Sequence, residues 1–174
     1  MASRRDTLLM IAVGAAAGAA GGYFGLRLQT APDAADVAAL LVAPLRDLEG
    51  RTRSVLEWKG LVLVCNFWAT WCAPCREEIP VLGRIRAKLS SKRVEILGIA
   101  VDQASNVAEF VKELKIAYPV VLADANSIEL MRRLGNTAGG LPFTVILDRN
   151  GKLAYRKLGS ITESELERNL VSIA

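Results

Sequence analysis

Cys72 and Cys75 stand two residues apart at the head of a stretch with helical spacing, directly after an apolar run. Two thiols at that separation fit in one helix turn, close enough to be joined and unjoined as a disulfide. They end the segment Asn66-Phe67-Trp68-Ala69-Thr70-Trp71-Cys72-Ala73-Pro74-Cys75. A thiol at a helix start meets unpaired N–H groups and partial positive charge, so the Cys72 thiol is expected below the free value of about 8.5. Cys72 would attack a disulfide, and Cys75 would then attack Cys72 and release the product. The competing chemistry is a buried structural pair or half of a zinc site. Zinc wants two more ligands, and the chain offers only Cys65 as a third sulfur.

The 174 residues contain no histidine. That removes Ser-His-Asp and Cys-His catalysis, His-ligated zinc and Cys-x-x-Cys-His haem attachment. Three cysteines are too few for a disulfide-stapled scaffold and fit one active pair with one left over. Cys65 neighbours Asn66 on an apolar strand, so it is expected on the opposite sheet face as a small buried hydrophobe. Apolar content of 52% argues against disorder, and a net charge of +4 without a long basic block gives no nucleic-acid stripe. No bound cofactor and no metal is expected.

The N-terminal part reads differently from the rest. Residues 1–6 carry Arg4-Arg5, and residues 7–26 hold no charge. At about 1.5 Å per residue that run spans about 30 Å, one bilayer core. It is expected as a transmembrane signal anchor, with residues 1–6 cytoplasmic. The alternatives are a cleaved secretory peptide, with small-residue sites at Ala15-x-Ala17 and Ala17-x-Ala19, and a buried soluble helix. Arg4-Arg5 also loosely fits a twin-arginine signal. Gly14, Gly18 and Gly22 would line one helix face, which Ala/Gly composition alone also explains. Residues 27–44 read as a linker with a short helix at 35–41, and residues 45–174 as the folded domain.

In that domain, residues 45–58 suggest a hairpin turning at Glu49-Gly50. Residues 61–68 and 94–101 are near-continuous apolar runs, the pattern of strands buried on both faces of a parallel sheet. Residues 73–89 are helical around Pro80, and helices follow at 106–114 and 127–134, with a strand at 118–123. Phe143 to Leu147 and residues 152–158 form a hairpin about Asp148-Arg149-Asn150-Gly151. Thr162-x-x-Glu165 caps a final helix. Parallel units come first and an antiparallel hairpin closes the sheet, an α/β fold with a central mixed sheet.

From residue 45 on, this pattern and the form Asn-Phe-Trp-Ala-Thr-Trp-Cys-x-Pro-Cys-Arg resemble the membrane-anchored TlpA/ResA branch of the thioredoxin superfamily. The resemblance implies a thioredoxin-like fold with an N-terminal hairpin and one extra βα unit. It implies a redox-active Cys72–Cys75 disulfide. Trp71, Ala73 and Pro74 would border the client, and a cis Pro142 would face the cysteines while the backbone of Leu141 pairs with the client peptide. Trp68 is expected partly buried. Asn66 stands where thioredoxin has a buried aspartate that moves the proton of the second cysteine. An amide cannot do that, so the proton route of Cys75 is open: Glu77 or Glu78, with water, could serve. The plainer reading, adopted here, has both as surface carboxylates in the first helix turns.

The implied activity is a protein-disulfide reductase on the inner membrane, facing the periplasm, or soluble there if the anchor is cleaved. Implied partners are disulfide-bearing clients such as apocytochrome c or copper-site proteins, and a membrane electron donor of the CcdA/DsbD type. The rivals are an oxidase or isomerase on the same fold, a peroxiredoxin-like peroxidase, and a non-enzymatic metal- or client-binding module.

Overall fold

The computed structural model describes residues 33–173. The expected anchor, the residues before it and the first part of the expected linker lie outside them. Among the described residues no helix is long and apolar enough to cross a membrane.

The run after Gly60 becomes β3 (Val62–Trp68), buried at every position. Its parallel neighbour is β4 (Val94–Ala100), which pairs in turn with parallel β5 (Val120–Leu122). On the other side of β3 lies antiparallel β6 (Phe143–Leu147), followed by β7 (Leu153–Leu158). The N-terminal hairpin, β1 (Leu45–Asp47) and β2 (Thr52–Arg53), extends the sheet beyond β5. The mixed seven-stranded order is β2-β1-β5-β4-β3-β6-β7.

Both faces are covered, which explains why β3 shows no polar alternation. One layer holds α2 (Ala73–Leu89), α3 (Ala104–Glu113) and α5 (Glu163–Ile173), packed on Val62, Val64, Trp68 and Ile96. The other holds α1 (Ala34–Val42) and α4 (Ala125–Arg133), with Leu63, Cys65, Phe67, Leu97 and Ile99. α2 runs unbroken through Pro80 and buries Cys75, Glu78, Ile79, Leu82, Ile85 and Leu89 along one stripe. Trp68 is wholly buried rather than partly so. Gly98 is the reason: a Cβ there would come within 2.9 Å of Trp68 Nε1, so the indole closes directly over β4.

The short helix expected at 35–41 is present, but its place in a linker outside the folded domain is corrected. Residues 34–42 form α1, capped reciprocally by Asp33 and Asp36, with Leu40 fully buried in the second core layer. Arg133 Nε donates to Asp36 Oδ1 at 2.8 Å, and Ser54 Oγ donates to the Leu41 carbonyl at 2.8 Å. Leu40→Ala is therefore expected to cost about 2–5 kcal/mol. Urea unfolding checks this; a tether would give a change under about 0.5 kcal/mol.

Candidate active site

β3 delivers the chain to the dithiol at its C-terminal end, and residues 69–72 turn it into α2. Cys72 is the N-cap of α2, with the Cys75 N–H 3.3 Å from its Sγ. That N–H is one of the first-turn donors that lack a helical partner, so it is free to hold negative charge on Cys72. The two sulfurs are bonded at 2.05 Å. Cys72 keeps 5% exposure and Cys75 none. An incoming disulfide therefore meets Cys72, while Cys75 is reached only from within the pair.

The residues flanking Cys72 in the chain are apolar. Trp71 is 71% exposed, and Ala73 and Pro74 are exposed beside it. Phe143 pairs with Phe67, which puts the preceding Leu141–Pro142 at the dithiol end of the sheet. That peptide bond is cis; Pro142 is buried and Leu141 half-buried.

Behind the dithiol the even-numbered residues of β3 face α2. Asn66 Nδ2 donates to Glu78 Oε1 at 2.7 Å and to Thr144 Oγ1 at 3.0 Å. The Ile161 N–H donates to Glu78 Oε2 at 3.0 Å. Glu78 is thus no surface carboxylate: it is 2% exposed, one turn beyond Cys75 on the same stripe of α2. Glu77, next to it, is exposed as expected. Burial pushes the Glu78 carboxyl above its ordinary range, against the pull of the Ile161 and Asn66 hydrogen bonds. Asn66, whose amide has no proton-carrying acid or base, holds the Glu78 carboxyl in place. Thr144 and the Ile161 amide went unnoticed in the sequence, although a lone amide in an otherwise apolar strand asks for partners.

Cys65 points into the opposite layer, and burial pushes its thiol up to about 12. It is remote from the chemistry. Among the described residues no group of three or more His, Cys, Asp or Glu side chains is placed to hold a metal.

The Redoxin family profile matches residues 29–170. The chain belongs to the Redoxin family. This Redoxin is 32% identical to the thiol-disulfide oxidoreductase ResA of Geobacillus thermodenitrificans, over 74% of the chain and 72% of that relative. It is 33% identical to the ResA of Bacillus cereus, over 73% of the chain and 72% of that protein. Among solved structures it resembles a thiol:disulfide interchange protein of the thioredoxin family from Chlorobium tepidum TLS, with 30% identity and a TM-score of 0.64. That match covers 76% of this chain and 94% of the other.

Proposed function

We propose that this Redoxin is a membrane-tethered protein-disulfide reductase working outside the cytoplasm. The observation that carries the exchange chemistry is the asymmetric pair: Cys72, the N-cap of α2, keeps a small exposed area, and Cys75 is sealed behind it. In the reduced enzyme the Cys72 thiolate attacks one sulfur of a client disulfide. The client S–S bond breaks, its second sulfur leaves as a thiolate, and a mixed disulfide forms. Cys75 then loses its proton toward Glu78 and attacks Cys72 Sγ. The first client sulfur leaves, and the Cys72–Cys75 bond closes. Two electrons have passed from the enzyme dithiol to the client, and protons from the medium complete the two client thiols.

Trp71, Ala73, Pro74 and Leu141 border the path of the client toward Cys72. A peptide lying beside Leu141 would pair with its backbone as an added strand. Turnover needs a donor of two electrons, and a membrane carrier of the CcdA/DsbD type suits a tethered enzyme. Arg4-Arg5 ahead of the uncharged residues 7–26 supports the tether and its orientation. Clients with paired cysteines that must be kept reduced, such as apocytochrome c or copper-site assembly proteins, fit a reductase in an oxidising compartment.

Trapping in cells tests this reading. Cys75→Ser keeps the attacking thiol and removes the one that resolves the intermediate. Its expected product is a membrane-fraction adduct, linked through Cys72 and released by reductant, whose partner mass spectrometry names. A variant that stays soluble, or one that carries no reducible adduct, contradicts the proposal.

A further inference from the structure

Residues 69–72 join β3 to α2 and belong to neither ladder; within them only the Cys72 N–H bonds back, to the Ala69 carbonyl at 3.2 Å. Trp71 points to solvent and lends no support of its own. Yet Thr70 is gripped at both ends. Its hydroxyl donates to Asp102 Oδ2, and its carbonyl accepts from Arg76 Nη1 at 3.4 Å.

Each gripping group is itself fixed by α3 or the turn before it. Asp102 Oδ1 accepts from the Gln103 N–H at 2.7 Å and from Asn106 Nδ2 at 3.0 Å. The Arg76 guanidinium lies 4.6 Å from the Phe110 ring centroid and reaches Glu113 Oε1 at 3.3 Å through Nη2. Phe110 in turn rests on Trp68, ring to ring at 5.3 Å. Gln103, Asn106, Phe110 and Glu113 are spaced by three, four and three residues, so one face of this helix aims at the active-site turn. The planar guanidinium stacks on the ring and sends separate N–H groups to Thr70 and Glu113, which an ammonium on a flexible stem does not reproduce.

We infer that α3 is a positioning element for thiol exchange: by clamping Thr70 between Asp102 and Arg76 it fixes the angle at which Cys72 meets an incoming disulfide. The inference rests on Cys72 being the attacking thiol. A charge-assisted hydrogen bond to a carboxylate is among the stronger kinds, and small errors in the approach of reacting atoms cost large factors in rate. Thr70 and Arg76 act through the turn and need no contact with client.

The test uses the full chain and two readouts, insulin disulfide reduction and iodoacetamide alkylation of reduced Cys72. Thr70→Val keeps the shape and removes the hydroxyl; kcat/KM for insulin reduction is expected to fall about tenfold, with alkylation slowed in parallel. Thr70→Ser restores the hydroxyl and is expected within about threefold of the parent. Arg76→Lys keeps the charge but loses the fork, and is expected to fall by about threefold. The inference is overturned if Thr70→Val matches the parent in both readouts, or if Thr70→Ser, which keeps the hydroxyl, is as slow as Thr70→Val, which would assign the effect to packing at this position rather than to the hydrogen bond. A parent that reduces no insulin overturns the reductase reading instead. The clamp is then judged on alkylation alone, which requires no client, and an unslowed Thr70→Val overturns it.

Discussion

Cys72→Ser is expected to lower insulin disulfide reduction about a thousandfold or more. A serine hydroxyl stays protonated and is a weak nucleophile toward sulfur, so the thiolate that makes the attack is missing. No other sulfur substitutes. Cys75 has no exposed surface, and Cys65 lies across the sheet with its thiol pushed up to about 12. Cys75→Ser is expected to lose turnover as well, but at a different step. It retains a single thiol open to alkylation and accumulates a one-to-one mixed disulfide with the substrate. Steady-state assays with intact-mass measurement separate the two variants. Loss of the first step in Cys75→Ser, with the mixed disulfide collecting in Cys72→Ser instead, would place the attacking thiol at Cys75.

Glu78→Gln is expected to slow turnover about a hundredfold, the scale of a lost general base. The loss falls on the resolving step, so the variant should pile up the mixed disulfide that Cys75→Ser also collects. The pH profile identifies the cause. Only the ionised carboxylate can take the proton from Cys75, and burial holds the Glu78 carboxyl above its ordinary range. Turnover by the parent is thus expected to climb as pH rises through that raised value, and the limb should vanish in Glu78→Gln.

Stability runs the other way. The folded state keeps the Glu78 proton to higher pH than the unfolded state does. The stabilisation this group contributes is therefore full below the ordinary carboxylate range and is lost as pH rises through the raised value. Urea midpoints against pH should fall in that window for the parent and flatten for Glu78→Gln. A variant with unchanged turnover and an unchanged profile would leave Glu78 a mere filler behind the dithiol.

Local pattern was enough for the parts of the fold that depend on local pattern. β3 is legible because seven consecutive buried residues leave one interpretation, and α2 because its apolar spacing and its cap at Cys72 agree. α1 is legible as a short helix but not as part of the core, because it is short and rich in alanine. Only Val37 and Leu40 bury, and what they bury against, such as Leu63 and Leu134, lies far along the chain.

The burial of Glu78 is hidden for a related reason. A carboxylate near the start of a helix suits solvent and the helix dipole equally well, and the Ile161 amide that encloses it is 83 residues away. The same holds for Thr70 and Asp102, 32 residues apart with no periodicity to connect them. The reacting thiols are legible from two positions in one turn. The groups packed and hydrogen-bonded behind them become visible only when the sheet brings distant segments together.

The most direct test of the reductase account is the reduction potential of the Cys72–Cys75 couple, read by equilibrating the protein with defined glutathione or dithiothreitol buffers and counting free thiols by mass. The account predicts a value at or below about −200 mV, among the glutaredoxin- and thioredoxin-like dithiols that give electrons away. A value of about −180 mV or higher, toward isomerases and strong oxidants, would contradict it.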